Sequence, residues 1–172
     1  MARAKRIFIV GHSGAGKGVL AQAVAKKLGW KFVDADVFGS VGHIGRTPQQ
    51  VLGESGVQCF NNCMLEILEH HCAQENIVVT TDEAIIASGR AQEILKSEFT
   101  VFLQVSTKVQ AERMQQCAYR PLLAVDDYAA LLQQQQDKYN ADFSAVASFS
   151  LSSDDGEIDA HAQNVITAYS DL

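Results

Sequence analysis

Near the start of the chain, Gly11-His12-Ser13-Gly14-Ala15-Gly16-Lys17-Gly18 has the composition and spacing to hold a polyphosphate. The glycines let successive backbone N–H groups turn toward one centre, Lys17 brings a full positive charge, and a following helix N-terminus adds a partial one. The context fits: Ile7-Phe8-Ile9-Val10 reads as a strand before the loop, and Leu20, Val24 and Leu28 form a helical stripe after it. Gly11, Ser13, Gly14, Ala15, Gly16, Lys17, Gly18 and Val19 are therefore the expected nucleotide contacts. The residue after the lysine of such a loop is usually Ser or Thr, whose hydroxyl holds Mg²⁺. Gly18 and Val19 supply no hydroxyl, which weakens the argument for a metal.

Further acids stand where ligands of open α/β sheets bind, outside the carboxyl ends of strands. Lys31-Phe32-Val33-Asp34 reads as a short strand with Asp34-Ala35-Asp36 at its C-terminal end, and the β-branched run Asn76-Ile77-Val78-Val79-Thr80-Thr81 leads to Asp82 and Glu83. Cys59, Cys63, Cys72 and Cys117 fit no zinc or redox spacing. Cys59 and Cys63 share a helix face near His70, His71 and Cys72, leaving two readings, small core residues or a metal site.

These groups need a scaffold, and the totals allow one. At 172 residues the chain is expected to be one domain, 1–172, with a core large enough to fold without staples. A net charge of −6 argues against nucleic acid or an anionic membrane as the main partner. The basic start Ala2-Arg3-Ala4-Lys5-Arg6 is followed by too few apolar residues for a signal peptide, and no run could span a bilayer, so a cytoplasmic location is expected.

Along the chain, Gly29 closes the first helix. A glycine-rich stretch from Val37 to Gly56, with Pro48 at a helix start, opens a substrate-side segment of about 37–75. A helix over about 57–73 presents Phe60, Met64, Ile67, Leu68 and His71 on one face, His71 as a satisfied core-edge histidine. A short helix around 91–96, a strand over 99–105 and a helix over 108–116 follow. A polar helix over about 126–139 comes next, with Gln133 to Gln136 as its solvated face, then a strand carrying Ala145, Ala147, Phe149 and Leu151, and a last helix striped by Ile158, Ala162, Val165, Ile166 and Tyr169. The β-α alternation predicts an α/β fold with a parallel, doubly covered sheet.

Gly-Ala-Gly-Lys-Gly is similar to the loop of adenylate kinases, where glycine after the lysine is normal. Nearly the whole chain resembles shikimate kinases, within the nucleoside-monophosphate-kinase-like group of P-loop proteins. The residues that carry this are Gly11 to Lys17, Phe32-Val33-Asp34-Ala35-Asp36, Gly45-Arg46-Thr47, Gly56 with Phe60, Arg113, Arg120-Pro121-Leu122-Leu123 and Tyr139. The resemblance implies a three-layer P-loop fold, a five-stranded parallel sheet flanked by helices, with a mobile lid of about 115–125. It implies ATP and Mg²⁺ as cofactors. Lys17 would polarise the transferred phosphoryl group, Asp34 would position Mg²⁺ through water, and Asp36 would hydrogen-bond the acceptor hydroxyl. Arg120 would reach the phosphates on lid closure and Arg113 would lie against the adenine.

The acceptor side departs from the family. Asn61 stands where the family has an arginine after the phenylalanine, Thr81-Asp82-Glu83 where it has three glycines, and Gln135 where it has a second arginine. Two lost charged contacts to a carboxylate are worth on the order of 3–6 kcal/mol. An acid ~5 Å from that carboxylate adds roughly 3 kcal/mol of repulsion at an effective dielectric of ~20. Asp36, Asn61, Asp82, Glu83 and Gln135 would then line a pocket for a neutral polyol or an amine-bearing molecule. On the other reading, Asp82 caps the following segment and Glu83 faces solvent. The functional expectation is an ATP-dependent small-molecule kinase acting on an acceptor other than shikimate. A nucleotide-binding module without turnover, and a shikimate kinase in which Arg46 or Arg90 replaces the missing arginines, are its rivals.

Overall fold

The computed structural model describes residues 5–36, 48–115 and 125–172. The lid expected around Arg120, Cys117, Arg46 and the first part of the substrate-side segment lie outside the described residues.

Five strands form one parallel sheet in the order β2-β3-β1-β4-β5: β1 (Arg6–Val10), β2 (Lys31–Ala35), β3 (Ile77–Thr81), β4 (Thr100–Gln104) and β5 (Phe149–Ser152). The helices are α1 (Lys17–Leu28), α2 (Pro48–His71), α3 (Gly89–Ser97), α4 (Thr107–Gln115), α5 (Val125–Val146) and α6 (Ile158–Ser170). The expected architecture is present. Its cause is visible in β1, whose residues alternate between the sheet faces. Ile7 and Ile9 pack with Leu20, Val24, Val165 and Tyr169 on the face covered by α1 and α6. Phe8 and Val10 pack with Met64, Leu68, Leu95, Phe143 and Val146 on the face covered by α2, α3 and α5.

Two boundaries differ from the sequence reading. Ala145 and Val146 belong to α5, and the edge strand starts only at Phe149. Phe143 and Val146, three residues apart, share the helix face buried on the sheet, and Phe143 stacks on Phe102 with ring centroids 5.1 Å apart. Helix α2 starts at Pro48 and breaks at Gly53, whose φ of 73° lies in the left-handed region that a glycine enters without steric strain. The solvated glutamine face is also corrected: Gln133 is exposed, but Gln136 turns inward and is buried.

Gly29 ends α1 in the left-handed conformation, and Trp30 N donates to Ala25 O at 2.9 Å, as the sequence implies. Cys59 and Cys63 are exposed, contrary to the core reading, and no His, Cys, Asp and Glu cluster suited to a metal exists among the described residues. No helix of the described chain is long and apolar enough to cross a membrane.

Candidate active site

The carboxyl ends of all five strands meet around the loop between β1 and α1. Gly11 is pressed against β4: a Cβ there would lie 2.6 Å from Leu103 O, so this position must be glycine. Ala15 is buried beneath the loop, and Gly16, at φ 92°, turns the chain into α1. At Gly18 a Cβ would meet nothing within 4 Å, so the missing hydroxyl is not a steric requirement of the fold. Val19 is exposed beside it.

Lys17 is buried, at 4% exposure, and its ammonium group is fully engaged. It donates to Gly11 O at 2.9 Å and His12 O at 3.1 Å, and pairs with Asp36 Oδ2 at 3.3 Å. Asp34, exposed at the end of β2, is braced: its Oδ1 accepts from the Thr80 hydroxyl and the Asp36 amide, both at 3.0 Å.

The rest of the loop is held by side chains from distant segments. Arg113 Nη1 donates to Gly14 O and Ala15 O, both at 3.1 Å, and to Ser153 Oγ at 3.0 Å, while its Nη2 donates to Ser153 O at 2.6 Å. Gln110 Nε2 donates to Ser13 O at 2.6 Å, and Gln136 Nε2 donates to Gln110 Oε1 and Val105 O, both at 2.9 Å. His12 is buried edge-on against Phe143, its Nε2 2.7 Å from Asn140 Oδ1.

Asp82 and Glu83 follow neither sequence reading as a pair. Asp82 caps the short 3-10 turn Glu83–Ala87 by accepting from Ala84 N. It is buried, and with Ala35, Met64, His71 and Thr81 it lines a small cavity. Among the described residues the buried His71 Nδ1 and Thr81 Oγ1 have no hydrogen-bond partner, so His71 is not the fully satisfied histidine expected. Glu83 does not face solvent. Its Oε2 accepts from Ser13 N at 3.1 Å and its Oε1 lies 3.0 Å from His12 Nδ1.

The structure thus brings Lys17, Asp36, Glu83 and Arg113 to one loop, with Asp34 next to them. Asn61 on α2 and Gln135 on α5 are half-buried on flanking helices and join none of the bonds just described. His12, Gln110, Gln136 and Asn140 are site residues that the sequence motifs do not reveal. Gln136 and Asn140 had a usable signal: they interrupt the apolar stripe that runs through Leu132 and Phe143.

Burial disfavours the charge of Glu83, but the His12 hydrogen bond and charge, the Ser13 amide and Lys17 outweigh it and hold the carboxyl below its ordinary range. A carboxylate with a depressed folded-state pKa contributes stability that is present above its unfolded pKa and lost as pH falls through its folded value. His71, whose pKa is lowered by burial, acts in the same direction earlier, because the unfolded chain takes up its proton first. Thermal melts are expected to show stability falling as pH drops below about 6.5 and again below about 4.5. Glu83→Gln should flatten only the second fall.

Residues 13–170 match the family model described as shikimate kinase. A shikimate kinase of Legionella pneumophila is 26% identical over 165 residues, covering 95% of this chain and 94% of that protein. A solved shikimate kinase from Acinetobacter baumannii in complex with shikimate superposes with a TM-score of 0.78 at 24% identity, covering 95% of this chain and 92% of that one. A gluconokinase from Sinorhizobium meliloti shares the fold with a TM-score of 0.61 at 18% identity, covering 99% of this chain and 95% of that one.

Proposed function

Because the chain belongs to the shikimate kinase family, we propose that it transfers the γ-phosphoryl group of ATP to a hydroxyl of a small acceptor other than shikimate. The observation that carries this reading is the buried Lys17, paired at 3.3 Å with Asp36 just past the end of β2. A phosphate-binding cation and an acceptor-side carboxylate then share one point. As ATP enters, Lys17 exchanges its intramolecular partners for phosphoryl oxygens, and Asp36 becomes available to orient the acceptor hydroxyl. The hydroxyl oxygen forms the new P–O bond while the bond from the γ-phosphorus to the bridging oxygen breaks. ADP leaves, and the hydroxyl proton passes to Asp36 and then to solvent. Such a transfer depends on positioning and charge stabilisation, with little covalent help. Arg120 supplies further positive charge from the lid in this reading. Cytoplasmic ATP is the donor it calls for.

Asp34 suits a hydrated Mg²⁺ arriving on the phosphates, since Thr80 and the Asp36 amide fix its carboxylate and Mg²⁺ is commonly held by one or two carboxylates plus substrate oxygens. When bound, the ion would neutralise charge on the phosphoryl oxygens.

Asp36 makes the acceptor side acidic, Glu83 is taken up by the phosphate loop, and Asn61 and Gln135 offer neutral hydrogen-bonding groups in place of the two family arginines. A neutral polyol or an amine-bearing acceptor fits that set. Arg90 is exposed and pairs with Glu69 at 3.5 Å and Glu93 at 3.4 Å, which does not favour its recruitment toward a shikimate carboxylate. The hydroxyl-free pair Gly18 and Val19 favours the second reading, a nucleotide-binding module without turnover.

The deciding experiment measures ADP release from Mg²⁺·ATP across shikimate, neutral sugars and cyclitols, amino sugars and nucleoside monophosphates. Turnover with a neutral or amine-bearing acceptor is expected. Efficient turnover with shikimate would overturn the acceptor assignment, and silence across the panel with ATP still bound would favour the module.

A further inference from the structure

We infer that Gln110 is a positioning residue for phosphate binding: it fixes the peptide between Ser13 and Gly14 so that the Gly14 amide is presented to the phosphates, and Gln136 in turn fixes Gln110. The inference rests on the reading that the loop binds a polyphosphate, and it gives a role to two buried amides that the transfer chemistry does not use.

Carbonyl oxygens repel an anion, so a loop that binds one must commit its carbonyls elsewhere. Here every carbonyl from Gly11 to Gly16 has a donor. Lys17 serves Gly11 O and His12 O, Arg113 serves Gly14 O and Ala15 O, and Leu20 N serves Gly16 O. Ser13 O depends on Gln110, whose Nε2 donates to it at 2.6 Å. In a trans peptide the carbonyl and the following N–H point in opposite directions. Gln110 and Arg113 both stand on α4, so by drawing Ser13 O and Ala15 O toward that helix they turn the Gly14 and Gly16 N–H groups away from it, to one side of the loop. Among the described residues nothing accepts from either amide.

The Ser13–Gly14 peptide is the one that needs holding. Gly14 has φ 82°, and glycine adopts φ of either sign at little cost. Turning this peptide over by about half a rotation changes only Ser13 ψ and Gly14 φ, and it would put a carbonyl where the amide had been. Gln110 opposes that flip, and its own amide cannot reverse. Val105 O only accepts, so Gln136 presents Nε2 to it at 2.9 Å, and the same nitrogen donates to Gln110 Oε1 at 2.9 Å. The oxygen of Gln110 is thereby committed to Gln136, which leaves its nitrogen for Ser13 O. Both side chains are buried, Gln110 at 1% and Gln136 at 6% exposure, so bulk water does not compete for these bonds.

The test titrates inorganic tripolyphosphate and Mg²⁺·ATP, by calorimetry, into the wild type, Gln110→Met, Gln136→Met, the double variant and the control Gln133→Met. Methionine keeps the length of glutamine without its N–H donors. Gln133 is exposed and ties the same two helices through Thr107 at 2.8 Å without reaching the loop. Thermal melts establish which variants are folded. Gln110→Met is expected to weaken both ligands by about tenfold, and Gln136→Met, which leaves the donor but frees its orientation, by about threefold. The double variant should fall within about twofold of Gln110→Met, because the two amides act through one bond. In ¹H–¹⁵N spectra the Gly14 amide should shift on saturation of the wild type with tripolyphosphate and shift far less in Gln110→Met, a difference that looser packing of α4 on α5 would not produce. Affinities of folded Gln110→Met within about twofold of wild type, or an equal loss in Gln133→Met, would overturn the inference while leaving phosphate binding intact. If Gln110→Met does not fold, unchanged affinities in Gln136→Met would overturn it. A wild type that binds neither ligand would overturn the phosphate reading itself, and this inference with it.

Discussion

Lys17→Ala is expected to lower phosphoryl transfer by about 10³-fold or more at saturating ATP, the scale on which removal of a preorganised charge at a developing anion acts. Lys17 is buried at the centre of the loop. The substitution deletes the donor to Gly11 O and His12 O and releases Asp36, yet it leaves untouched the bonds from Arg113, Gln110 and Glu83 that hold the loop. The fold should therefore survive, with a loss of roughly 1–3 kcal/mol from the bonds removed, His12 O keeping the Ala15 amide as a donor. Single-turnover transfer and thermal melting, measured on the same preparation, separate the two effects. A variant that keeps turnover within tenfold of wild type would remove Lys17 from the chemistry.

Arg113→Ala should have the second-largest effect, and it should fall on stability and phosphate binding together. One guanidinium group ties the carbonyls of Gly14 and Ala15 to Ser153, beyond the edge strand. Removing it leaves those carbonyls unpaired. Hydrogen bonds to charged groups are worth about 1.5–3 kcal/mol each before compensation by water, so a net loss of roughly 2–4 kcal/mol is expected. For a chain of this size that lowers the melting temperature by about 4–16 °C. Polyphosphate affinity should fall by on the order of 10²-fold as the loop loses its shape. Inorganic tripolyphosphate separates this role from adenine packing. Loss of ATP and tripolyphosphate binding alike identifies Arg113 as a brace of the loop; loss of ATP binding alone would identify it as an adenine platform.

The fold was legible because its signals are local. Apolar runs ending in glycine or acid marked β1, β2 and β3, Gly29 marked the end of α1, and the phosphate loop announced itself by spacing. Where the reading failed, long-range packing decided. Phe143 and Val146 keep α5 helical through residues whose alternation suggests a strand. Gln136 looks solvated beside three other glutamines, but its face of α5 meets Val105 and Gln110. Glu83 had two sequence readings, pocket or solvent, and the structure gives a third that requires His12, seventy-one positions earlier, as partner. Individual polar residues of this kind are visible in a sequence; the pairing that gives them meaning is not.

The order of the strands has a consequence during synthesis. The strand made first, β1, occupies the middle of the sheet, and its neighbours are residues 77–80 and 100–102. Until β3 and then β4 emerge, the backbone groups of β1 lack their sheet partners on one or both sides, and its apolar side chains have only the neighbouring α1 to pack on. Contacts this distant in sequence close slowly, and unpaired apolar strands are where nascent chains associate wrongly. Truncations that end before β4 are expected to emerge as chaperone-bound or aggregated chains, whereas release after β4 allows the centre of the sheet to form and, with it, the turn that carries Lys17.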